Sequence, residues 1–108
     1  MMNEAQYNDL LDDLMVSIED AIEEAELDID VEMAAGILTL TCPNNTKVIL
    51  SRQTPLLQLW LAAKSGGFHF NYSGEQDNWV LDGGDALFMD VLNRCLSEQY
   101  EESVLLEC

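Results

Sequence analysis

Positive charge is scarce in this sequence. The 108 residues include four Lys and Arg against 21 Asp and Glu, and the formal net charge is −17. A chain this acidic repels nucleic-acid phosphates and anionic membrane surfaces, which argues against binding to either. No apolar run approaches the roughly 18 residues of a membrane span, and the first residues lack the pattern of a targeting segment. We therefore expect neither membrane insertion nor secretion.

Cysteine and histidine are also scarce. The three cysteines, Cys42, Cys95 and Cys108, form no C-x-x-C pair, which argues against a disulfide framework or a zinc site and fits a reduced, cytoplasmic environment. The single histidine, His69, would have to serve any Ser-His-Asp or Cys-His site, yet we expect it at the surface. Nucleotide-binding glycine motifs are absent from the sequence. We predict a protein that is not an enzyme.

The length and the hydrophobic content of 48% allow one buried core, so we predict a single domain over residues 1–108. Apolar residues recur every three or four positions near both ends of the chain, as in amphipathic helices. Between them, alternating or β-branched runs separated by short turns predict five to six antiparallel strands. The predicted fold class is α+β, a two-layer α/β sandwich with both helices on one face of the sheet and water on the other.

Three local predictions follow from the same patterns. In the strand over Asp28 to Met33, the alternation places Met33 on the core side. The segment from Asp82 to Asp85 predicts a turn and the N-cap of the second helix. The tail from Glu101 to Cys108 could be frayed, or could cover the helix pair with its apolar residues, and the sequence leaves this open.

The acidity is concentrated at one end of the chain. The first 32 residues contain twelve acids and no Lys or Arg, whereas the remaining 76 carry a net charge of only −5. Carboxylates three or four positions apart on a helix repel one another, and those at its C-terminus also oppose the helix dipole. The clustering indicates a surface for cations or for a basic partner. The alternative is a solvated acidic face that only maintains solubility.

Carboxylates are hard ligands that suit Mg²⁺, Ca²⁺, Mn²⁺ and iron better than Zn²⁺ or Cu²⁺. Since no enclosing loop accompanies them, we expect weak, open, exchangeable sites with little selectivity among divalent cations. The candidate metal ligands lie at the end of the first helix and along the first strand, and we call them the acidic ridge: Glu19, Asp20, Glu23, Glu24, Glu26, Asp28, Asp30 and Glu32.

A second candidate surface is the open face of the sheet. Trp60 and Gln58 share one side of the predicted fourth strand, opposite the leucines. An exposed tryptophan is a frequent interface hot spot, but it can equally lie flat across neighbouring strand side chains, and the sequence favours neither. The candidate partner-binding residues come from this region and from the ridge: Arg52, Gln53, Gln58, Trp60, Glu19 and Glu23.

Three segments together resemble the signature region of the frataxin family in its short bacterial form: Arg52-Gln53-x-Pro55-Leu56-x-Gln58-x-Trp60-Leu61-Ala62, Gly66-Gly67-Phe68-His69-Phe70 and Trp79-Val80-x-Asp82. The likeness spans nearly the whole chain and includes the acidic ridge and the order of elements. Two features depart from it. The link from Ala25 to Leu27 looks shorter than in relatives, and the tail after Glu101 does not match.

The resemblance implies an iron-binding regulator that docks on the cysteine desulfurase and the scaffold protein of iron-sulfur cluster assembly and modulates the assembly rate. It implies binding of Fe²⁺ and Fe³⁺ by ridge residues: Glu19, Asp20, Glu23, Glu24, Glu26, Asp28 and Asp30. We expect a monomer that could oligomerise with iron.

Two other classes of function stay open. An acidic decoy could imitate nucleic-acid phosphates or bind a basic partner without iron, but it needs charge along a long face and no exposed aromatic patch. Trp60 therefore separates it from the first hypothesis. A ferroxidase would require a buried, ordered iron site with open coordination positions, which exposed carboxylates rarely provide.

Overall fold

The computed structural model describes residues 2–106 and contains two helices that flank six strands in the chain. Helix α1 spans Glu4–Glu24 and helix α2 spans Phe88–Tyr100. The strands are β1 Asp30–Ala34, β2 Ile37–Thr41, β3 Lys47–Gln53, β4 Gln58–Ala63, β5 Gly66–Ser73 and β6 Asn78–Leu81. Within residues 2–106, no helix is both long and apolar enough to cross a membrane.

All six strands form one antiparallel sheet in the order β1-β2-β3-β4-β5-β6, so β1 and β6 are its edges. Side chains alternate between the two faces of a strand. On β4, Leu59 and Leu61 are buried under the helices, whereas Trp60 between them lies on the open face. The predicted two-layer sandwich, with both helices on one face, is confirmed.

Helix α1 supplies much of the core. It begins at the N-cap Asn3, whose side chain accepts a hydrogen bond from the Gln6 amide in a capping box. Five residues spaced three and four apart are buried against the sheet: Tyr7, Leu11, Met15, Ile18 and Ile22. The Tyr7 hydroxyl also donates to the Gln58 carbonyl over 2.6 Å, and burial raises the pKa of this phenol. The apolar stripe predicted from the sequence is therefore confirmed.

Helix α2 begins later than expected. The turn at Asp82 to Asp85 is present, but the N-cap is Leu87 and no side chain caps the helix. The Leu81 amide donates to the Ala86 carbonyl, and Leu87 pairs with Val80. The chain thus returns to β6 before it becomes helical, and for this reason the predicted N-cap at Asp85 is wrong.

The tail covers the helices as far as it is described. Val104 and Leu106 are buried, whereas Leu105 between them is exposed. The Ser97 hydroxyl and the Asn93 carboxamide accept hydrogen bonds from the amides of the two buried residues, both over 2.8 Å. The sequence leaves two alternatives open for the tail, and residues 104–106 follow the second, in which the tail covers the helix pair. Glu107 and Cys108 lie outside the described residues.

The edge strand β1 is less buried than predicted. Met33 lies on the core side of β1, as predicted, because it is paired with the buried Leu38, but its side chain is 46% exposed. It lies on an edge strand, where only β2 contacts it from the side, while α1 reaches Ile29 and Val31. Cys42 and Cys95 are both buried, and burial raises the pKa of both thiols.

The β1–β2 turn yields the first prediction. Ala35 and Gly36 both have positive φ, +53° and +78°, as in a type I′ turn, which favours Asn and Gly. We expect Ala35→Asn to raise the free energy of unfolding by about 0.5–1 kcal/mol, since it relieves a strained alanine. Gly36→Ala should lower it, because the new Cβ would lie 3.3 Å from the Arg52 Nε.

Urea unfolding of the two variants measures both effects. Ala34→Gly is the matched control, because Ala34 lies in the strand and glycine there should destabilise the protein. An Ala35→Asn variant no more stable than the wild type would contradict this description of the turn.

Candidate functional site

All eight residues of the acidic ridge are exposed. Four lie in the last turns of α1, two in the link to β1 and two on β1 itself. This places them at one edge of the molecule, because β1 is the edge strand and follows the end of α1 directly. The expected combination of a helix end with an edge strand is therefore present.

Five of the eight ridge residues nevertheless form two separate rows, whereas Glu24 lines another hollow beside the tail. On the helix side, a shallow hollow of about 440 Å³ between α1 and β1 is lined by Glu19, Glu23 and Glu26 together with apolar side chains. On the other side, Asp30 and Glu32 are paired in register with threonines of β2 and face the open side of the sheet. The edge strand separates the two rows, so one ion cannot contact all ridge carboxylates together.

The ridge carboxylates are free of compensating charge. The ion pairs within residues 2–106 are Arg52 with Asp12 and Arg94 with Glu98, and neither includes a ridge residue. Within that same range, no group of three or more Asp, Glu, His or Cys side chains converges as a ready metal site. An ion here would contact one or two carboxylates and keep water as its other ligands, which makes binding weak and exchangeable.

The link between the two rows is tightly hydrogen bonded. Glu26 has φ +55°, and its amide donates to the Glu23 carbonyl while the Leu27 amide donates to the Ile22 carbonyl over 3.2 Å. This is the left-handed termination of a helix, a position usually taken by glycine. The Asp28 amide donates to the Tyr100 hydroxyl over 3.1 Å, which fixes the start of β1 to the end of α2.

The conformation of Glu26 yields the second prediction. We expect Glu26→Gly to raise the free energy of unfolding by about 1 kcal/mol, because glycine adopts positive φ without the steric cost of a Cβ. The matched control is Glu24→Gly, which removes the same charge from the last residue of the helix, where glycine is unfavourable. Thermal melts of both variants separate the two effects. Equal shifts would show that only the lost charge matters.

The open face of the sheet carries the second candidate surface. Trp60 is half-buried and its indole stacks on the His69 ring, with centroids 4.1 Å apart and an interplanar angle of 11°. The indole Nε1 donates to the Gln58 Oε1 over 2.9 Å. Hydrogen bonds then continue from the Gln58 Nε2 to the Asn71 Oδ1 and from the Asn71 Nδ2 to the Asp82 Oδ1.

These contacts join three strands into a fixed surface, which we call the tryptophan surface: Gln58, Trp60, His69, Asn71 and Asp82. Of the two alternatives for Trp60, the structure shows the ring lying flat across its neighbour. The side chain is still only half-buried, so this geometry is also compatible with a partner. Asn71 and Asp82 are not among the predicted partner-binding residues, although Asp82 belongs to the third signature segment. The pairing of β5 with β4 and β6 brings them here. The alternation of side chains in β5 is the one signal for Asn71.

Arg52 and Gln53 lie on opposite faces of β3. Gln53 is paired with Gln58 and shares the face of the tryptophan surface. Arg52 points to the helix side, where its guanidinium donates to the Asn8 Oδ1 over 2.8 Å and pairs with Asp12. The expected grouping of Arg52 with Trp60 is therefore wrong, because successive strand residues point to opposite sides.

Comparison with known proteins identifies the family to which this chain belongs. Residues 1–102 match the model of the frataxin-like domain. The chain belongs to the frataxin family, as its signature segments predict.

Individual relatives agree with this family. The chain is 48% identical over 103 residues to the iron-sulfur cluster assembly protein CyaY of Pseudomonas aeruginosa, and the match covers 95% of both chains. It is 43% identical to the protein of the same name in Azotobacter vinelandii, over 95% of this chain and 94% of that one. The structure matches the frataxin of Psychromonas ingrahamii with a TM-score of 0.89 and 34% identity, over 99% and 100% of the two chains.

A more distant match is the trimeric frataxin of the yeast Saccharomyces cerevisiae, solved in a ferrous complex. Its TM-score is 0.69 and its sequence identity 27%, over 94% of this chain and 89% of the yeast chain. The six-stranded sheet with two helices is thus the frataxin fold.

Proposed function

We propose that this protein is a non-catalytic, iron-binding regulator of iron-sulfur cluster assembly. The observation that carries the proposal is the row of exposed ridge carboxylates without compensating cations, in a chain whose relatives are named for cluster assembly. A protein selected for stability alone would interleave lysines along this edge, because like charges at the end of a helix destabilise it.

Iron is the cargo in this proposal. Fe²⁺ and Fe³⁺ bind the ridge through one or two carboxylates at a time, and other divalent cations compete for the same groups. The row on the helix side is the better iron site, because Glu19, Glu23 and Glu26 line one hollow there. The yeast relative is trimeric in its ferrous complex, which supports oligomerisation with iron as part of the proposal.

In this proposal the protein docks through two surfaces, one by long-range charge attraction and the other by direct contact. The ridge attracts a basic patch on the cysteine desulfurase, with Glu19 and Glu23 at its centre. The tryptophan surface, together with Gln53, contacts the scaffold protein. Trp60 suits a contact of this kind because its indole is already held in place, which lowers the entropy lost on binding. Arg52 contributes indirectly, since it holds β3 against α1.

Catalysis belongs to the partners in this proposal. The one histidine is engaged in a stack with Trp60, and the ridge carboxylates are exposed and do not converge in groups of three or more within residues 2–106. The decoy alternative is less well supported, because a charge of −12 is concentrated in the first 32 residues instead of spread along a face. It also gives the tryptophan surface no role.

The third prediction concerns where iron binds. In an anaerobic titration of ¹⁵N-labelled protein with Fe²⁺, we expect paramagnetic broadening centred on the amides of residues 19–30, because the ridge holds eight of the 21 acids of the chain. Glu19→Gln combined with Glu23→Gln should reduce it. Glu75→Gln combined with Glu102→Gln removes the same charge elsewhere and should leave it intact. Broadening centred on His69 would refute the site.

The fourth prediction separates the two docking surfaces by kinetics. Charge reversal at Glu19 and Glu23 to Lys should slow association with the desulfurase at low salt, because it removes long-range attraction. Trp60→Ala should leave association nearly unchanged and shorten the lifetime of the complex with the scaffold, at a cost of about 2 kcal/mol for a hot spot. Surface-plasmon measurements at two salt concentrations test both.

Two control variants sharpen this experiment. Trp60→Phe keeps an aromatic ring against His69 but loses the indole hydrogen bond to Gln58, so it should retain most of the lifetime. Glu75→Lys combined with Glu102→Lys matches the charge change away from the ridge. If the ridge variant associates at the wild-type rate, the ridge is not a docking surface and only the solvated-face interpretation survives.

A further inference from the structure

A groove runs along the N-terminal half of α1, where the helix faces the turn between β5 and β6. Its first compartment has a volume of about 770 Å³, and its apolar lining comes from Met2, Leu10 and Tyr72. A second compartment of about 250 Å³ shares Leu10 and Tyr72 with the first and continues to Trp79 and Met89. We call the two compartments together the helix groove. None of its lining residues belongs to the acidic ridge or to the tryptophan surface.

The floor of the helix groove is apolar and firmly supported. Tyr72 meets Trp79 edge to face with ring centroids 5.3 Å apart, and Trp79 in turn meets the fully buried Tyr7 at 6.0 Å. Leu10 and Met89 pack against the same core but stay only partly buried. The groove is therefore preformed, and an occupant that covers its apolar side chains gains the free energy of removing them from water.

The rim of the helix groove is acidic. Asp9 and Asp13 line it from α1, and Asp77 lines the second compartment from the β5–β6 turn. Neither ion pair within residues 2–106 involves these three carboxylates, and no lysine or arginine lines either compartment. Asp77 accepts a hydrogen bond from the Tyr72 hydroxyl over 3.2 Å, which turns one carboxylate toward the groove floor. The mouth is thus negatively charged above an apolar floor.

This combination selects the chemistry of the occupant. Anionic ligands are repelled, and without a bound cation so is a second copy of a chain with a net charge of −17. Two connected compartments can hold two apolar side chains, and the carboxylates along both sides can pair with cations between them. We propose that the helix groove docks a basic, amphipathic segment of a partner protein, with apolar side chains in the compartments and Lys or Arg opposite Asp9, Asp13 and Asp77. This proposal does not depend on the function proposed above.

The test uses the whole chain, ¹⁵N-labelled, and a hexapeptide of alternating lysine and leucine as the probe. We expect amide shifts at Gln6, Leu10 and Gly74 that saturate with peptide and weaken as salt rises, because the rim charges are screened. A lysine-glycine hexapeptide lacks the apolar side chains and a glutamate-leucine hexapeptide reverses the charge. Both should bind at least about tenfold more weakly, the equivalent of 1.4 kcal/mol.

Two matched pairs of variants localise the binding. Asp13→Lys should weaken binding of the lysine-leucine peptide about tenfold, whereas Glu102→Lys, the same reversal at an exposed residue after the end of α2, should change it little. Leu10→Lys should block the groove, whereas Val16→Lys adds the same charge at a residue that is 54% exposed outside it. The Asp13 pair decides the matter if Leu10→Lys fails to fold.

Three results would overturn the proposal. The lysine-glycine peptide could bind as tightly as the lysine-leucine peptide, which would reduce the effect to general electrostatics. The shifts could centre on the acidic ridge instead of the groove. Groove amides could also shift with protein concentration in the absence of peptide, which would identify a second copy as the occupant.

Discussion

The packing of α1 on the sheet is the interaction on which the rest of this structure depends. Its buried stripe from Tyr7 to Ile22 covers one face of the sheet together with α2, and the Tyr7 hydroxyl joins α1 to β4. A single helical period therefore has two consequences. The apolar residues complete the core, and the acids between them can only point to water, which concentrates negative charge at the edge beside β1.

Charge compensation along α1 is uneven. Arg52 reaches up from β3 and pairs with Asp12, so the middle of the helix is held to the sheet by an ion pair whose arginine side chain is only 16% exposed. Beyond Ile18 no such partner exists among residues 2–106. Repulsion at the helix end is therefore opposed only by packing and by the hydrogen bonds that close the turn around Glu26. The approach of a cation or a basic partner therefore stabilises this surface, because it reduces the repulsion between the carboxylates.

Much of this fold follows from sequence periodicity. The spacing of apolar residues predicts α1, α2 and the alternation of the strands, because each pattern reports which side of an element is buried. The differences lie where tertiary contacts decide instead. Met33 has the right period but lies on an edge strand. The α2 N-cap moves to Leu87 because the chain first pairs with β6, a contact that no local signal at Asp85 reveals.

The candidate site was predictable in composition but not in arrangement. The ridge residues stand out by charge alone, yet only the sheet order shows that β1 divides five of them into two rows. The environment of Trp60 depends even more on register, because His69 and Asn71 come from β5 and Asp82 from the end of β6. Arg52 and Gln53 are adjacent in the signature segment, yet their side chains lie on opposite faces of the sheet.

The two candidate surfaces therefore differ in how firmly their side chains are held. The ridge carboxylates make few contacts with the protein and keep their hydration, so they act through a field that extends about one Debye length, roughly 8–10 Å at physiological salt. The indole of Trp60 is fixed by a stack and a hydrogen bond, so it acts only on contact. A solvated charged edge suits the capture of ions and long-range attraction, whereas a fixed aromatic face suits a long-lived contact. Because both are built on one sheet, the function proposed above would hold a desulfurase at the ridge and a scaffold protein at the tryptophan surface in a set orientation to each other.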